Sequence, residues 1–425
     1  MVAGSLPKLN VRSPKLAKGP EWYPYYAGYS EDFVEDAIAE LGGPGSLTVL
    51  DPWNGSGTTT AVAGRGGHQT HGFDLNPALT LIARGRLLGA ANVPALAPLA
   101  ADILRHSQAS RGRGNESEGS LLTRLFDAET AETITAISSS ICEILVGNPG
   151  DGSSGGPEAA SPLAALFITA LFQAARAIAS PYRTTNPTWL KSRGAAPVSV
   201  SREIVEREFR HSVAALAKRL KSDEGAGTFD VATAAARELP LEDRTVDLIV
   251  TSPPYCTRID YAVATLPELA VLGLGNRDVT ALRTRMLGSP LTTGRHPVDE
   301  MGWGPHANSF LHSVEAHGSH ASQTYYRRYF ASYFGELRAS LAEVTRVSRQ
   351  NAKMAIVVQD SHYKEIRLDL ARVVIEMLRP VGWRALARRD LAVRTMASVN
   401  PAGRVYRPNT PATESVLAFS RVGGD

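Results

Sequence analysis

In Leu47-Thr48-Val49-Leu50-Asp51-Pro52-Trp53-Asn54-Gly55-Ser56-Gly57-Thr58-Thr59, a short apolar strand runs into an acid, a proline and a glycine-bearing turn that opens into a helix near Thr58. Two glycines ahead of a helix let a ligand approach the backbone closely at the helix N-terminus. Phosphate-binding loops share that geometry, but this turn lacks their lysine, and Asp51 at the strand end would repel phosphate. A cationic ligand part, such as an ammonium group, suits it better. The next strand, His71-Gly72-Phe73, ends on Asp74, where an acid can accept hydrogen bonds from both hydroxyls of a ribose. Acids on two successive strand ends point to an adenosine-containing cofactor; two helix-capping acids are the plainer alternative.

Outward from this segment the pattern stays regular. An arm rich in Pro, Lys and Tyr extends to about Tyr29, and Ser30 reads as the N-cap of a helix carrying Phe33, Val34, Ala37, Ile38 and Leu41. On the other side, Pro77 to Leu88 has helical spacing. Strand, turn, helix, strand, acid, helix opens a doubly wound α/β domain. From about Ala100 to Gly227 the chain leans helical, with periodic segments at Leu121–Val146, Pro162–Ile178 and Arg202–Lys221. The stretches Ser110–Gly119 and Gly147–Pro162 read as flexible linkers. The expected division is therefore an arm and cofactor half over 1–99, a helical insertion over 100–227 and a second half of the α/β domain over 228–425. Later signals are strands at Thr228–Val231, Val246–Val250, Met354–Val358 and Ser415–Phe419, with helices at Tyr325–Val347 and Leu368–Leu378. Gly288–Ser322 shows little periodicity and reads as a loop.

The strand at Val246–Val250 runs into Thr251-Ser252-Pro253-Pro254-Tyr255. Consecutive prolines fix φ twice and remove two backbone donors, leaving carbonyls as acceptors. A serine hydroxyl beside them and an aromatic ring after them suit a planar ring bearing an amino group. The ring stacks, and oxygens hold the amino hydrogens so that the nitrogen lone pair can be aimed at an electrophile. A rigid strand-to-helix turn is the alternative.

Together the two segments resemble the amino-methyltransferases of DNA, which form N4-methylcytosine or N6-methyladenine. That family carries D-P-F-x-G-[ST]-G-T-T and [DNS]-P-P-[YFW]; here Trp53 replaces the usual Phe. The likeness covers about Tyr23–Ala90 and Thr228–Phe419, not the insertion. It implies a Rossmann-like class I methyltransferase sheet with a helical insertion, and S-adenosyl-L-methionine as cofactor. By resemblance, Asp51, Pro52, Trp53, Gly55, Ser56, Gly57 and Thr58 form the methionine end of the cofactor site, Asp74 receives the ribose, and Tyr29 lies in an additional cofactor segment. Ser252, Pro253, Pro254 and Tyr255 are the catalytic set around an extruded base. The segment Ala234-Ala235-Ala236-Arg237-Glu238-Leu239-Pro240 departs from the family, which commonly has an acid where Ala235 stands; Asp102 is the rival for that role.

Several function readings follow from the resemblance. N4-cytosine methylation of DNA with base flipping leads, because Ser before Pro-Pro leans toward cytosine. N6-adenine methylation, an RNA base methyltransferase and an inactive nucleic-acid-binding subunit are the alternatives. The insertion sits where a target-recognition region lies in one permuted class. Its Arg176, Arg183, Lys191, Arg193, Arg202, Arg207, Arg210, Lys218, Arg219 and Lys221, with Tyr182 and Trp189, read either as phosphate contacts or as a solvated helix face. Partners would be DNA, RNA less so, no membrane, and restriction or defence-system proteins.

Composition is compatible with all of this: 43% hydrophobic, 20% charged and a net charge of +3 permit a polyanionic partner without requiring one. The N-terminus has no apolar h-region, and two cysteines cannot form a disulfide framework, so a cytoplasmic setting is expected. No metal is expected: His296, His306, His312, His317 and His320 have spacings that match no closed metal site.

Overall fold

The computed structural model describes residues 9–14, 22–24, 28–109, 120–147, 159–182, 196–221, 227–257, 259–291, 302–393 and 411–422. Among the described residues nine strands form in chain order: β1 (Thr48–Asp51), β2 (Gln69–Asp74), β3 (Thr228–Thr233), β4 (Val246–Thr251), β5 (Ser348–Gln359), β6 (Ser361–Tyr363), β7 (Ile366–Leu368), β8 (Trp383–Val393) and β9 (Ala412–Arg421). Seven make one sheet in the order β3-β2-β1-β4-β5-β9-β8, and β6 and β7 pair as a separate hairpin. β1, β2, β3, β4 and β5 are mutually parallel, while β9 runs antiparallel to both neighbours. This is the Rossmann-like α/β sheet expected, with its chain-order reversal between β1 and β4.

Alternating side chains of the central strands feed two cores, which is why those strands read as unbroken apolar runs. Val49, Leu248, Val250, Ala355 and Val357 face the helices Glu31–Leu41 and Thr58–Arg65. Their neighbours Leu50, Ile249, Met354, Ile356 and Val358 face Pro305–Ala316, Arg327–Val347 and Leu370–Leu378. The helix Glu31–Leu41 starts as Ser30 dictates, its hydroxyl accepting from the Phe33 amide at 3.2 Å.

The insertion has its own apolar core. Helices Val93–Ala109, Ala128–Leu145, Pro162–Ile178 and Arg202–Ala217 pack with Pro77–Gly85 and Leu266–Val271, which flank β2 and β4 in sequence. A methyl at Gly85 would stand 3.0 Å from the Leu166 backbone, so the helix Pro162–Ile178 meets the helix after β2 at close range.

Three expectations are corrected. Asp102 lies half-buried on the helix Val93–Ala109, paired with Arg105, and not at a strand end; β3 occupies the sheet position beside β2 instead. The span read as a loop after Gly288 contains the helix Pro305–Ala316, begun by a proline at its first turn, and a π-turn at Ser322–Tyr326. Finally, β8 has no counterpart among the expected strands. Both linkers fall outside the described residues, except for Gly147 and residues 159–162 at the ends of the second.

Candidate active site

At the C-terminal ends of β1, β2, β3 and β4 lies an open cleft of about 920 Å³, counting solvent space. Ligands of open α/β sheets bind at such a reversal point. The cleft is lined by Tyr29, Asp51, Pro52, Trp53, Gly55, Ser56, Thr58 and Asp74, and equally by Ser252, Pro253, Pro254 and Tyr255. Of the site residues expected from sequence, Gly57 alone is not on the wall. It caps the helix Thr58–Arg65 with φ +79°, and a methyl there would approach the Ala83 Cβ to 2.7 Å. Glycine is required at that position both by the backbone conformation and by the packing.

Asp51 is almost wholly buried. Its Oδ1 accepts from the Thr251 hydroxyl at 2.5 Å and the Trp53 amide at 3.1 Å; its Oδ2 accepts from the Tyr29 hydroxyl at 2.7 Å. Burial pushes its carboxyl up, and Thr251, Tyr29, Thr59 and the Trp53 amide partly offset that. Tyr29 also meets Thr59 Oγ1 at 2.5 Å, and the Thr59 hydroxyl donates to the Val250 carbonyl at 3.0 Å. The acid expected to face a ligand ammonium is thus, above all, the knot that joins the arm, β1 and β4.

Asp74 sits differently. Its two oxygens accept from the Gly55 amide at 3.0 Å and the Asn76 amide at 2.8 Å, which ties the glycine turn to the end of β2. Burial raises its pKa to about 6. Leu75, Leu79, Ala235 and Ala236 continue the wall from there. Ala235 supplies no acid, but Arg237 donates to Glu336 at 3.0 Å, and both line this cleft.

The Ser-Pro-Pro-Tyr turn is fixed from three directions. The Ser252 hydroxyl donates to the Val357 carbonyl of β5 at 2.9 Å. The Tyr333 hydroxyl donates to the Pro254 carbonyl at 2.8 Å. The Tyr255 amide donates to the Tyr261 hydroxyl at 3.4 Å. With its proton committed to Val357, Ser252 Oγ offers the cleft acceptor lone pairs only. Of the two carbonyls left by the prolines, that of Pro254 already serves Tyr333. Asn76 Nδ2 donates to Thr265 Oγ1 at 2.7 Å, linking the end of β2 to the helices that follow the turn. Asp260, five residues after the end of the turn at Tyr255, caps the helix Tyr261–Ala264 and pairs with Arg283 at 2.6 Å.

Most of the described basic residues of the insertion are engaged within the protein. Arg176 pairs with buried Glu268, Arg202 and Arg210 with Glu206, Arg207 with Glu208 and Lys221 with Glu31, while Arg219 donates to the Trp22 carbonyl. Tyr182 is buried, its hydroxyl 2.9 Å from both the Leu125 and Ala196 carbonyls. Arg183, Trp189, Lys191 and Arg193 lie outside the described residues. Of the histidines, His306 and His317 meet Glu376 and Glu365, through a backbone amide and a ring nitrogen respectively.

Sequence reasoning missed Tyr333, Glu336 and Arg285, which reach the site from distant segments. It also missed Leu75 and Leu79, whose positions just after Asp74 were a usable signal.

No family model matches the chain. Among curated proteins it is similar to the Type II methyltransferase M.AvaI of Nostoc sp. (strain PCC 7120), 26% identical over 147 residues, covering 32% of this chain and 30% of that protein. It is also similar to the Type II methyltransferase M.BsoBI of Geobacillus stearothermophilus, 24% identical over 299 residues, covering 63% of this chain and 55% of that protein. The matched part thus spans between about a third and just over half the length of these relatives. Solved structures similar to the chain include the rRNA methyltransferase aviRa from Streptomyces viridochromogenes, with a TM-score of 0.29 and 14% identity over 94% of this chain and 87% of that one. A SAM-dependent methyltransferase from Methanosarcina mazei scores 0.31 at 8% identity, over 91% of this chain and 97% of that one.

Proposed function

We propose that this chain is an S-adenosylmethionine-dependent methyltransferase acting on an exocyclic amine of a DNA base, the N4 amine of cytosine by preference. The observation that carries this reading is the convergence of the glycine turn after β1 and the Ser-Pro-Pro-Tyr turn after β4 on one cleft, joined through Thr251 and Asp51. The two Type II methyltransferases that resemble the chain, and the motifs it shares with the DNA amino-methyltransferases, support DNA as the substrate and a place in a restriction-modification system.

The cleft suits the cofactor. Asp74 stands beside an apolar wall of Leu75, Leu79 and Ala235, as a ribose joined to a flat ring would require, and the glycine turn leaves backbone open to the amino-acid end. Tyr29, Asp51, Trp53, Gly55, Ser56, Thr58 and Asp74 would hold it. Bound there, S-adenosylmethionine supplies an electrophilic methyl group.

The remaining work belongs to this chain's side chains. Ser252 Oγ, its proton directed at Val357, accepts a hydrogen from the target amine and so turns the nitrogen lone pair away from itself. Tyr255 provides a face for the extruded base; such stacking is worth about 1–3 kcal/mol per base, against roughly a few kcal/mol for taking the base out of the duplex. Rigidity of the turn, held by Tyr333, Tyr261 and Val357, converts binding into alignment. Ser252 in place of an acid favours cytosine.

The test is to incubate the protein with tritiated S-adenosylmethionine and, separately, duplex DNA, single-stranded DNA and tRNA. Label in duplex DNA is expected; label confined to tRNA, or in none of the three, overturns the reading.

A further inference from the structure

Beneath the glycine turn lies a half-buried charge cluster that the proposed chemistry does not use. Arg86 caps the C-terminus of the helix Pro77–Gly85, and its side chain is only 9% exposed. Its Nη1 donates to the Ser56 carbonyl at 3.3 Å and to Thr58 Oγ1 at 3.0 Å; Ser56 and Thr58 both line the cleft. Its Nη2 donates to Glu31 Oε1 at 2.7 Å. Glu31 also accepts from Arg65 at 2.9 Å and from Lys221. One carboxylate therefore gathers three cations, from the helix that follows the turn, the helix that follows β2, and the end of the insertion. Burial would raise Glu31, but Lys221, Arg86 and Arg65 hold it at about 2, so it stays ionised throughout the working range.

The turn has need of such an anchor. Its helix begins on Gly57, which brings no capping side chain, and Gly55 and Gly57 both adopt positive φ, at +52° and +79°. Glycine permits that shape but does not hold it. From the cleft side the turn is tied by the Gly55 amide to Asp74. From beneath, Arg86 provides a two-point tie, and the planar guanidinium fork can reach a carbonyl, a hydroxyl and a carboxylate at once where a lysine cannot.

We infer that Arg86 is the positioning residue of the cofactor turn, fixing Ser56 and Thr58 from below so that the turn is already shaped before the cofactor enters. This rests on the cofactor reading proposed above. It predicts a selective defect, in cofactor affinity and not in DNA affinity or in the chemical step. The variant should fold, because Glu31 keeps Arg65 and Lys221 when Arg86 is replaced by an uncharged chain of similar length.

The experiment measures S-adenosylmethionine binding by calorimetry, and steady-state constants with duplex DNA, for wild type, Arg86→Met and Arg86→Lys, with thermal unfolding of each. Arg86→Met is expected to raise the cofactor Kd roughly ten-fold or more, with the KM for DNA and turnover at saturating cofactor within about two-fold of wild type. Arg86→Lys restores the charge but only part of the fork, and should fall between the two. If Arg86→Met does not fold, Arg86→Lys carries the test by the same split. Wild-type cofactor affinity in a folded variant overturns the inference alone; a wild type that binds no cofactor overturns the functional reading and this inference together.

Discussion

Thr251 donates its hydroxyl to Asp51 Oδ1 at 2.5 Å, so the last residue of β4 and the last residue of β1 share a hydrogen bond at the floor of the cleft. These two residues belong to the two motifs, and the bond makes their relative position a property of the sheet and not of the loops above it. Because Asp51 is buried and its carboxyl is already pushed up by desolvation, each lost donor leaves an uncompensated acceptor. Thr251→Val, which keeps the shape and removes the hydroxyl, is expected to cost about 1–3 kcal/mol in urea unfolding. Both cofactor affinity and methyl transfer should fall with it.

Asp74 makes cofactor binding depend on pH. Its folded-state pKa, about 6, lies above the ordinary carboxylate value because the group is buried. A raised acid pKa means that the free protein gains stability from this group as pH falls below about 6, since the folded state then takes up the proton first. Cofactor binding has the opposite sign: the ribose needs the ionised acceptor. Calorimetric Kd should therefore rise below pH 6, by up to about ten-fold per pH unit. Asp74→Asn should bind weakly and show a flat profile over the same interval.

Two glycines with similar backbone angles should respond differently to alanine. Gly57 and Gly67 have φ of +79° and +83°, but a methyl at Gly57 meets Ala83 at 2.7 Å while one at Gly67 meets nothing within 4 Å. Gly67→Ala should cost about 1 kcal/mol of unfolding free energy from backbone strain alone. Gly57→Ala should cost about 1–3 kcal/mol more and impair cofactor binding as well.

The Ser-Pro-Pro-Tyr turn should matter for transfer and not for the cofactor. Tyr255→Ala and Pro254→Ala are expected to abolish detectable methyl transfer while cofactor Kd stays within about three-fold of wild type, because the turn serves the substrate side. A large loss of cofactor binding would mean that the two halves of the cleft are assigned the wrong way round.

How much of this was legible in the sequence follows from where each signal lies along the chain. The turn from Asp51 to Thr58 could be read because acid, proline and glycine punctuate it within a few residues. Pro162–Ile178 could be read to the residue, since Ser161 caps it and most of its positions are buried. β8 could not: Trp383–Val393 is an edge strand whose arginines at 384, 388 and 389 hide the alternation. The helix Asn276–Arg285 buries only Val279 and Leu282, too few for a periodic signal. On the cleft wall, the motif residues could be read from sequence, but the residues that hold them could not. Tyr333 reaches Pro254 from 79 positions away and Arg86 reaches Glu31 from 55, and no local pattern encodes such pairs. In the insertion the sequence left phosphate contact and a solvated helix face both open; Arg202 and Arg210 pair with Glu206 within one helical turn, whereas Glu268, the partner of Arg176, is 92 positions away and no local pattern announces it.

The most direct test of the central claim is the identity of the methylated nucleoside. Duplex DNA incubated with the protein and tritiated S-adenosylmethionine is digested, and the nucleosides are separated by chromatography with mass detection. Label is expected to travel with N4-methylcytosine. Label in N6-methyladenine would keep the amine chemistry and correct the base, whereas label in 5-methylcytosine, or in no nucleoside, would contradict the account of a cleft built around an exocyclic amine.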